Sequence, residues 1–307
     1  MTSSPAAPGS SPQAVPAAVL QRLEAAGLDP GSVVALVDAA LAEDLAGGQD
    51  VTSVATVPAD ARSRARVVAR AEGVVAGLDV AQVVLARAGS GPVEVKALVA
   101  DADRVGPGTV LLEVLGGARD LLLGERTMLN LLGHLSGVAT LTRAWVDAVG
   151  GTGAAVRDTR KTTPGLRALE KYAVRCGGGH NHRMSLSDAA LVKDNHVVAA
   201  GGVVEAFARV RAAFPDVPVE VEVDTVDDAV AAVEAGADLV LLDNFDPEQM
   251  RAAVRLVAGR ARLEASGGLT LDRAATVAAT GVDYLAVGAL THSAPVLDIG
   301  LDFDGQG

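Results

Sequence analysis

The second half of the chain alternates short apolar runs with alanine-rich helical segments, and no other feature restricts its fold so tightly. After Gly150 the apolar runs are AVRDT, ALVKDN, VPVEVEVDT, DLVLLDNF, ARLEASGG and DYLAVGAL. Between them lie segments of helical period such as TVDDAVAAVEAG (225–236), DPEQMRAAVRLVAG (246–259) and TLDRAATVAATG (270–281). Strand, helix and strand in succession cross over right-handedly, so this run predicts a parallel sheet or barrel. Polar residues close the strands: Arg157 and Asp158, Lys193, Glu222, Asp243, Glu264, Ser266 and Gly288. In a βα barrel the loops after the strands converge on one face, where a site is assembled from several strands. Strand-end acids also cap helices, and for any single acid both readings stand.

Ahead of this run the grammar differs. SVVALVDAALAEDL (32–45) and AGLDVAQVVLARAG (76–89) have helical spacing, whereas 64–77 and 93–116 alternate with Gly and Pro punctuation, as antiparallel strands do. Residues 121–150 form one long helical pattern with Gly133 and Gly137 as candidate breaks. APVLDIGLDFDG (294–305) has strand character without a following helix, so it is expected to return to the first domain. The first nineteen residues hold no Lys or Arg and no long apolar core. They read as neither a signal peptide nor a membrane span.

The chain carries a formal charge of −12, which argues against nonspecific nucleic-acid binding. Yet from Arg157 to Lys193 there are eight Lys or Arg against three acids, Asp158, Glu170 and Asp188. Arg167, Lys171 and Arg175 share one helical stripe, expected to be a solvated face assisted by Glu170. Arg160, Lys161, His182 and Arg183 are expected in loops at the face where the strand-end loops converge. Guanidinium forks and ammonium groups together suit a polyanionic small molecule. Gly177, Gly178 and Gly179 would let the backbone approach it. The one cysteine, Cys176, leaves no disulfide within a chain and fits a cytoplasmic protein.

A second anion site is expected where Ser266, Gly267 and Gly268 follow one strand and Gly288 and Ala289 the next, because glycine turns at strand–helix junctions expose N–H groups to phosphate. No GxGxxG or P-loop motif is present. Between the two anion sites lie Glu222 and Asp243. Carboxylates beside phosphates call for Mg²⁺ or for a developing ribosyl cation. The residues therefore point to a phosphorylated sugar, a second anionic substrate and cleavage at an anomeric carbon.

ERTMLNLLGHLSGVAT, RDTRKTTPGLRALEKYAVRCGGGHNHR, DAALVKDNH, VEVEVD, LVLLDNF, EASGGL and LDIGLDF, in this order, resemble the quinolinate phosphoribosyltransferase family. The resemblance runs from about residue 32 to 305. It implies an α/β fold, an incomplete TIM-like α/β barrel preceded by an α+β sandwich domain. The expected limits are a flexible tail over 1–29, an N-terminal domain over 30–136 joined by a C-terminal strand (294–307), and a barrel over 137–293. It implies that Arg160, His182, Arg183 and Lys193 bind quinolinate, with Arg126 supplied across a homodimer interface, the dimer itself or within a higher oligomer. Thr159 and Lys161 would contact substrate or phosphoribosyl groups, Lys161 with a catalytic part. Glu222 and Asp243 would be catalytic and hold Mg²⁺, and Ser266, Gly267, Gly268, Gly288 and Ala289 would cradle the 5′-phosphate. The partners implied are quinolinate and phosphoribosyl pyrophosphate, with no nucleic acid and no membrane. Three rival readings are a molybdenum-associated paralogue, a noncatalytic phosphoribosyl-binding regulator and a Schiff-base lyase using Lys193.

Overall fold

The computed structural model describes residues 13–89 and 91–304, in two compact units. The first comprises the described residues up to Gly137 and from Pro295 onward. It opens with three helices, α1 (Ala17–Ala25), α2 (Pro30–Leu45) and α3 (Val51–Thr56). Strands β1 (Arg62–Ala69) and β2 (Gly73–Val74), helix α4 (Leu78–Ala88), and strands β3 (Glu94–Ala97), β4 (Arg104–Val105) and β5 (Val110–Gly117) follow, leading into helix α5 (Ala118–Ala148). The last strand, Ile299–Phe303, lies antiparallel beside β1, which pairs with β5 and β5 with β3.

The segment expected to be a flexible tail contains α1, and that expectation is corrected for residues 17–29. Val19 and Leu23, one turn apart, are buried together with Leu28. Arg22 donates to Asp79 at 2.9 and 2.7 Å, tying α1 to α4. Two or three apolar side chains on one stripe are too few to mark a helix by period, yet enough to dock one. Helix α2 begins two residues earlier than its spacing predicts. Pro30 occupies its first turn, where no N–H is needed, and the Asp29 carboxylate accepts from the Ser32 N–H at 2.8 Å.

Helix α5 runs unbroken through Gly133 and Gly137. A Cβ on Gly137 would stand 2.0 Å from the Pro295 carbonyl oxygen, and one on Gly133 would stand 3.0 Å from that of Leu297. The Leu297 N–H also donates to the Gly133 carbonyl at 3.0 Å. These glycines admit a crossing chain and do not break the helix.

The second unit, Val138–Ala294, holds six strands: β6 (Ala155–Arg157), β7 (Ala190–Val192), β8 (Val219–Val223), β9 (Leu239–Asp243), β10 (Arg262–Ser266) and β11 (Tyr284–Ala286). Its helices are α6 (Arg167–Cys176), α7 (Asp194–Ala200), α8 (Val203–Ala213), α9 (Val226–Glu234), α10 (Pro247–Val257), α11 (Ala274–Ala278) and α12 (Ala289–His292). All strand pairs are parallel, in the order β6-β11-β10-β9-β8-β7. The barrel is incomplete. Edge strands β6 and β7 are not paired with each other, and residue 180 bridges to Arg157 at the open edge.

Side chains alternate across this sheet. Val221, Val223, Val240, Leu242, Leu263, Ala265 and Leu285 are buried on one face. The other face carries Glu220, Glu222, Leu241, Asp243, Glu264 and Ser266, in a register that pairs Glu222 with Leu241 and Leu241 with Glu264. Asp243 pairs with Ser266 one step further along. Glu264 is therefore mid-strand and buried, and does not end β10 as its spacing implied.

Candidate active site

At the carboxyl ends of the barrel strands lies a cavity of about 410 Å³. It is lined by Thr159, Arg160, Lys161, His182, Arg183, Leu191, Lys193, Glu222, Leu241, Asp243, Glu264, Ser266 and Ala286. The loop after β6, the segment between α6 and β7, the residue after β7, and positions within β7 to β11 supply these side chains, so the site is assembled from several strands as in a βα barrel.

On one side stand Arg160 and Arg183. Their buried Nε atoms have no hydrogen-bond partner among the described residues. Arg183 donates through Nη1 to the Ala189 carbonyl at 3.0 Å. Burial, then the neighbouring Arg160, holds its pKa below the ordinary arginine range. Two adjacent guanidinium groups without carboxylate partners repel each other and favour an anionic ligand between them. Lys193 instead reaches Glu222 at 3.0 Å and is about half exposed. That paired, solvated ammonium lacks the desolvation a Schiff-base lysine needs.

On the opposite side Thr159 accepts the Lys161 N–H at 3.0 Å, and the Lys161 carbonyl accepts from Thr291 Oγ1 at 2.8 Å. A Cβ on Gly288 would press on Lys161 Cδ at 3.0 Å, so this glycine leaves room for the lysine stem. Asn244 donates to Asp243 Oδ2 at 2.7 Å and, in a left-handed conformation, places its N–H 2.9 Å from the Ser266 carbonyl. Gly267 (φ +87°) packs on it so closely that a Cβ would lie 2.1 Å from Asn244 Oδ1. Gly267, Gly268, Gly288 and Ala289 are not among the lining residues; they flank the rim beside Ser266 and Ala286. Arg126 is exposed on α5 in the first unit, and it too is absent from the lining.

At the cavity wall and behind it the charges are paired. Arg157 forms an ion pair with Glu264, and Lys171 forms one with Asp158, both of its partners fully buried. Burial pushes Lys171 below the ordinary lysine range, against the pull of Asp158. Burial and the nearby Glu220 push Glu264 up to about 8, opposed by Arg157. Lys171 was expected on a solvated stripe; it is instead a core residue, and Glu170 is buried beside it, accepting the Thr163 N–H at 3.0 Å. Arg167 ties Thr162 to the Met184 carbonyl at 3.1 Å each. Only Arg175 of the three is exposed.

The glycine triplet also has a different purpose from the one expected. A Cβ on Gly177 would stand 2.5 Å from the Ala139 carbonyl oxygen, and one on Gly179 would stand 2.7 Å from Thr142 Cγ2. Gly178 adopts φ +86°. The triplet lets the chain turn tightly against α5, and does not present backbone to a ligand.

Sequence reasoning missed Glu220 and the buried roles of Asp158 and Lys171. The signal for Glu220 was the alternation VEVEV, in which two acids two residues apart must share the inward face of β8. Nothing in the spacing of Lys171 separates it from the exposed Arg175.

Comparison with known proteins places these residues in context. A family model for "Quinolinate phosphoribosyl transferase, C-terminal domain" matches residues 138–302, and its N-terminal counterpart matches 50–136. The chain is 55% identical over 267 residues to a nicotinate-nucleotide pyrophosphorylase [carboxylating] of Mycobacterium leprae, covering 86% of this chain and 94% of that protein. It is 38% identical to a quinolinate phosphoribosyltransferase [decarboxylating] of Nicotiana glauca, over 86% of this chain and 80% of the relative. Among solved structures, the nicotinate-nucleotide pyrophosphorylase of Francisella tularensis superposes with a TM-score of 0.85 at 38% identity, covering 89% of this chain and 96% of its own.

Proposed function

The chain belongs to the quinolinate phosphoribosyltransferase family, and from that premise we propose how its cavity divides the reaction among its residues. The protein is a pentosyltransferase of NAD synthesis. It transfers phosphoribosyl from phosphoribosyl pyrophosphate to quinolinate with decarboxylation, giving nicotinate mononucleotide, pyrophosphate and CO₂.

One observation carries the assignment of residues: the unpartnered guanidinium Nε atoms of Arg160 and Arg183 share a cavity with the carboxylates of Glu222 and Asp243. Quinolinate bears two adjacent carboxylates on a flat ring, and two forks side by side suit that pair. Lys193 and His182 complete this end. Thr159 and Lys161 meet the phosphoribosyl group and its leaving pyrophosphate. Ser266, Gly267, Gly268, Gly288 and Ala289 take the 5′-phosphate.

Attack of the pyridine nitrogen on the ribose C1 breaks the bond to pyrophosphate. Positive charge develops at C1, and Glu222 and Asp243 stabilise it with preplaced negative charge. The quaternised ring then accepts the electron pair of its C2–carboxyl bond as CO₂ leaves, and C2 takes a proton. Glu222 and Asp243 each keep one carboxylate oxygen without a partner among the described residues, a donor set that fits a hard divalent cation. When bound there, Mg²⁺ supplies charge neutralisation on the pyrophosphate oxygens.

The test is to incubate the protein with Mg²⁺, phosphoribosyl pyrophosphate and quinolinate and to measure CO₂ and nicotinate mononucleotide. Glu222→Ala and Asp243→Ala are each expected to lower kcat about 10²-fold or more. Turnover near the wild-type value in either variant would remove that acid from the mechanism.

A homodimer, alone or within a higher oligomer, is part of this proposal. Arg126 is exposed on α5 with no partner among the described residues, which favours a role in a neighbouring copy's site. Mixing Arg126→Ala with Lys193→Ala under subunit exchange should restore about a quarter of wild-type activity. No recovery, with exchange shown by mass spectrometry, would place Arg126 outside the partner's site. The proposed location is the cytoplasm, in keeping with a sequence that holds a single cysteine, Cys176.

A further inference from the structure

His182 is held on four sides. Its backbone N–H donates to Asp158 Oδ1 at 2.8 Å, and its carbonyl accepts from the buried Lys171 Nζ at 2.9 Å. Its ring Nδ1 accepts the Arg183 backbone N–H at 2.8 Å, and its Nε2 lies 2.5 Å from Glu220 Oε2. Glu220 is 4% exposed. Its neighbour Glu264 is fully buried and paired with Arg157.

These contacts settle the imidazole chemistry. A backbone N–H is always a donor, so Nδ1 must offer its lone pair and carries no proton. A neutral ring has one N–H, which then stands on Nε2 and needs an acceptor; Glu220 is that acceptor. An imidazolium would set two N–H groups against each other at Nδ1. Both ring nitrogens are thus consumed within the protein, and His182 can meet the cavity only through its ring carbons.

Resting on the reading of the cavity as the quinolinate site, we propose that Glu220 is a positioning residue that fixes His182 as its neutral Nε2–H tautomer. His182 then acts as a flat apolar wall for the pyridine ring, while Arg160 and Arg183 carry the recognition of charge. This separates shape from charge within one site. The nitrogen of His182 and the oxygens of Glu220 and Glu264 lie within 4.8 Å of one another, a set that has the chemistry of a metal centre. The Arg157 guanidinium holds Glu264 Oε2 and the His182 ring holds Glu220 Oε2, which leaves the buried Oε1 atoms of the two acids without a partner among the described residues. With the one imidazole nitrogen already committed, the structure assigns the cluster to orientation.

The experiment is nitrogen-15 NMR of the histidine-labelled enzyme, with the His182 signals identified by their loss in His182→Gln. The expected result is the neutral Nε2–H tautomer at neutral pH, in the free enzyme and with quinolinate bound. An imidazolium, or an Nδ1–H ring, would overturn the proposal. Kinetics give the second reading. Glu220→Leu removes the acceptor and should raise KM for quinolinate about 10-fold or more, the scale of one lost hydrogen bond to a charged group. KM for phosphoribosyl pyrophosphate should stay unchanged. Glu220→Asp, which withdraws the carboxylate by one methylene, should show the same split should the leucine variant fail to fold. Glu220→Gln retains an acceptor oxygen and should bring KM for quinolinate back to within about threefold of wild type. Equal losses for Gln and Asp, or a rise in both KM values together, would sink the positioning role. A protein that makes no nicotinate mononucleotide would defeat the reading of the cavity, whereas the tautomer can still be read from the spectrum.

Discussion

Arg160 and Arg183 carry the same charge as Arg157 and Lys171, and all four lie within or close to the α6 helix in sequence. In the cavity, the first two keep buried Nε atoms without partners. At its wall and behind it, the second two are each locked to a carboxyl group, Arg157 to Glu264 and Lys171 to Asp158. The upper cations carry an electrostatic cost that Glu220 and Asp188 offset only in part at Arg183, and an anionic ligand would relieve it further. Lys171 is neutralised by Asp158, Arg157 is held by the carboxyl group of Glu264, and both hold the loop that presents the upper ones. Binding power and rigidity are thus supplied by the same residue types, separated by whether the fold brings an acid within reach.

The comparison can be broken most severely at Lys171. Lys171→Ala leaves Asp158 buried without its counter-charge, a loss of about 3–5 kcal/mol in stability. Denaturant unfolding would measure it, and a midpoint equal to wild type would show that the lower cations are not structural. Arg183→Ala should do the reverse. It removes a charge that forms no ion pair among the described residues, so the fold should persist while quinolinate affinity falls by about 2–4 kcal/mol, read as KM and by calorimetry. Intact affinity would take Arg183 out of the site.

A gentler effect is expected at Glu264, which stands near 8 against an ordinary value of 4.5. Between those pH values the folded chain holds a proton that the unfolded chain has released. This contribution to stability is therefore complete below about pH 4.5 and is lost as pH rises through about 8. Glu264→Gln should flatten Tm against pH across that window, and an unchanged slope would show that Glu264 is ionised throughout. The smallest effect belongs to Arg175, exposed and bonded to Asn181 at 2.7 Å. Arg175→Ala should change stability by no more than about 0.5 kcal/mol, and a larger loss by thermal melting would place it with the lower group.

Much of this was legible without coordinates. The alternation after Gly150 specifies a parallel βα array, because period and connection length leave few other ways to bury those strands. Arg160, Lys161, Arg183, Glu222 and Asp243 stand out because charged residues at strand ends and in the loops after them gather on one face of such an array. The alternation VEVEV also puts Glu220 on the same face as Glu222, a signal that a reading of strand ends alone passes over.

Other features depend on which segments meet. Lys171 and Arg175 sit one turn apart with the same charge, yet one is core and one is exposed, because only the first faces Asp158. Gly177 and Gly179 look like a ligand loop until the proximity of Ala139 and Thr142 shows what a side chain would strike. Helix α1 is held by a few apolar contacts and by Arg22 on Asp79, fifty-seven residues away in sequence. The sequence by itself determined the architecture and the face on which chemistry collects, since both follow from local periodicity. Tertiary structure alone decided which charges are neutralised, which proton His182 carries and which glycines are spacers, because each depends on distances of a few ångströms between residues far apart along the chain.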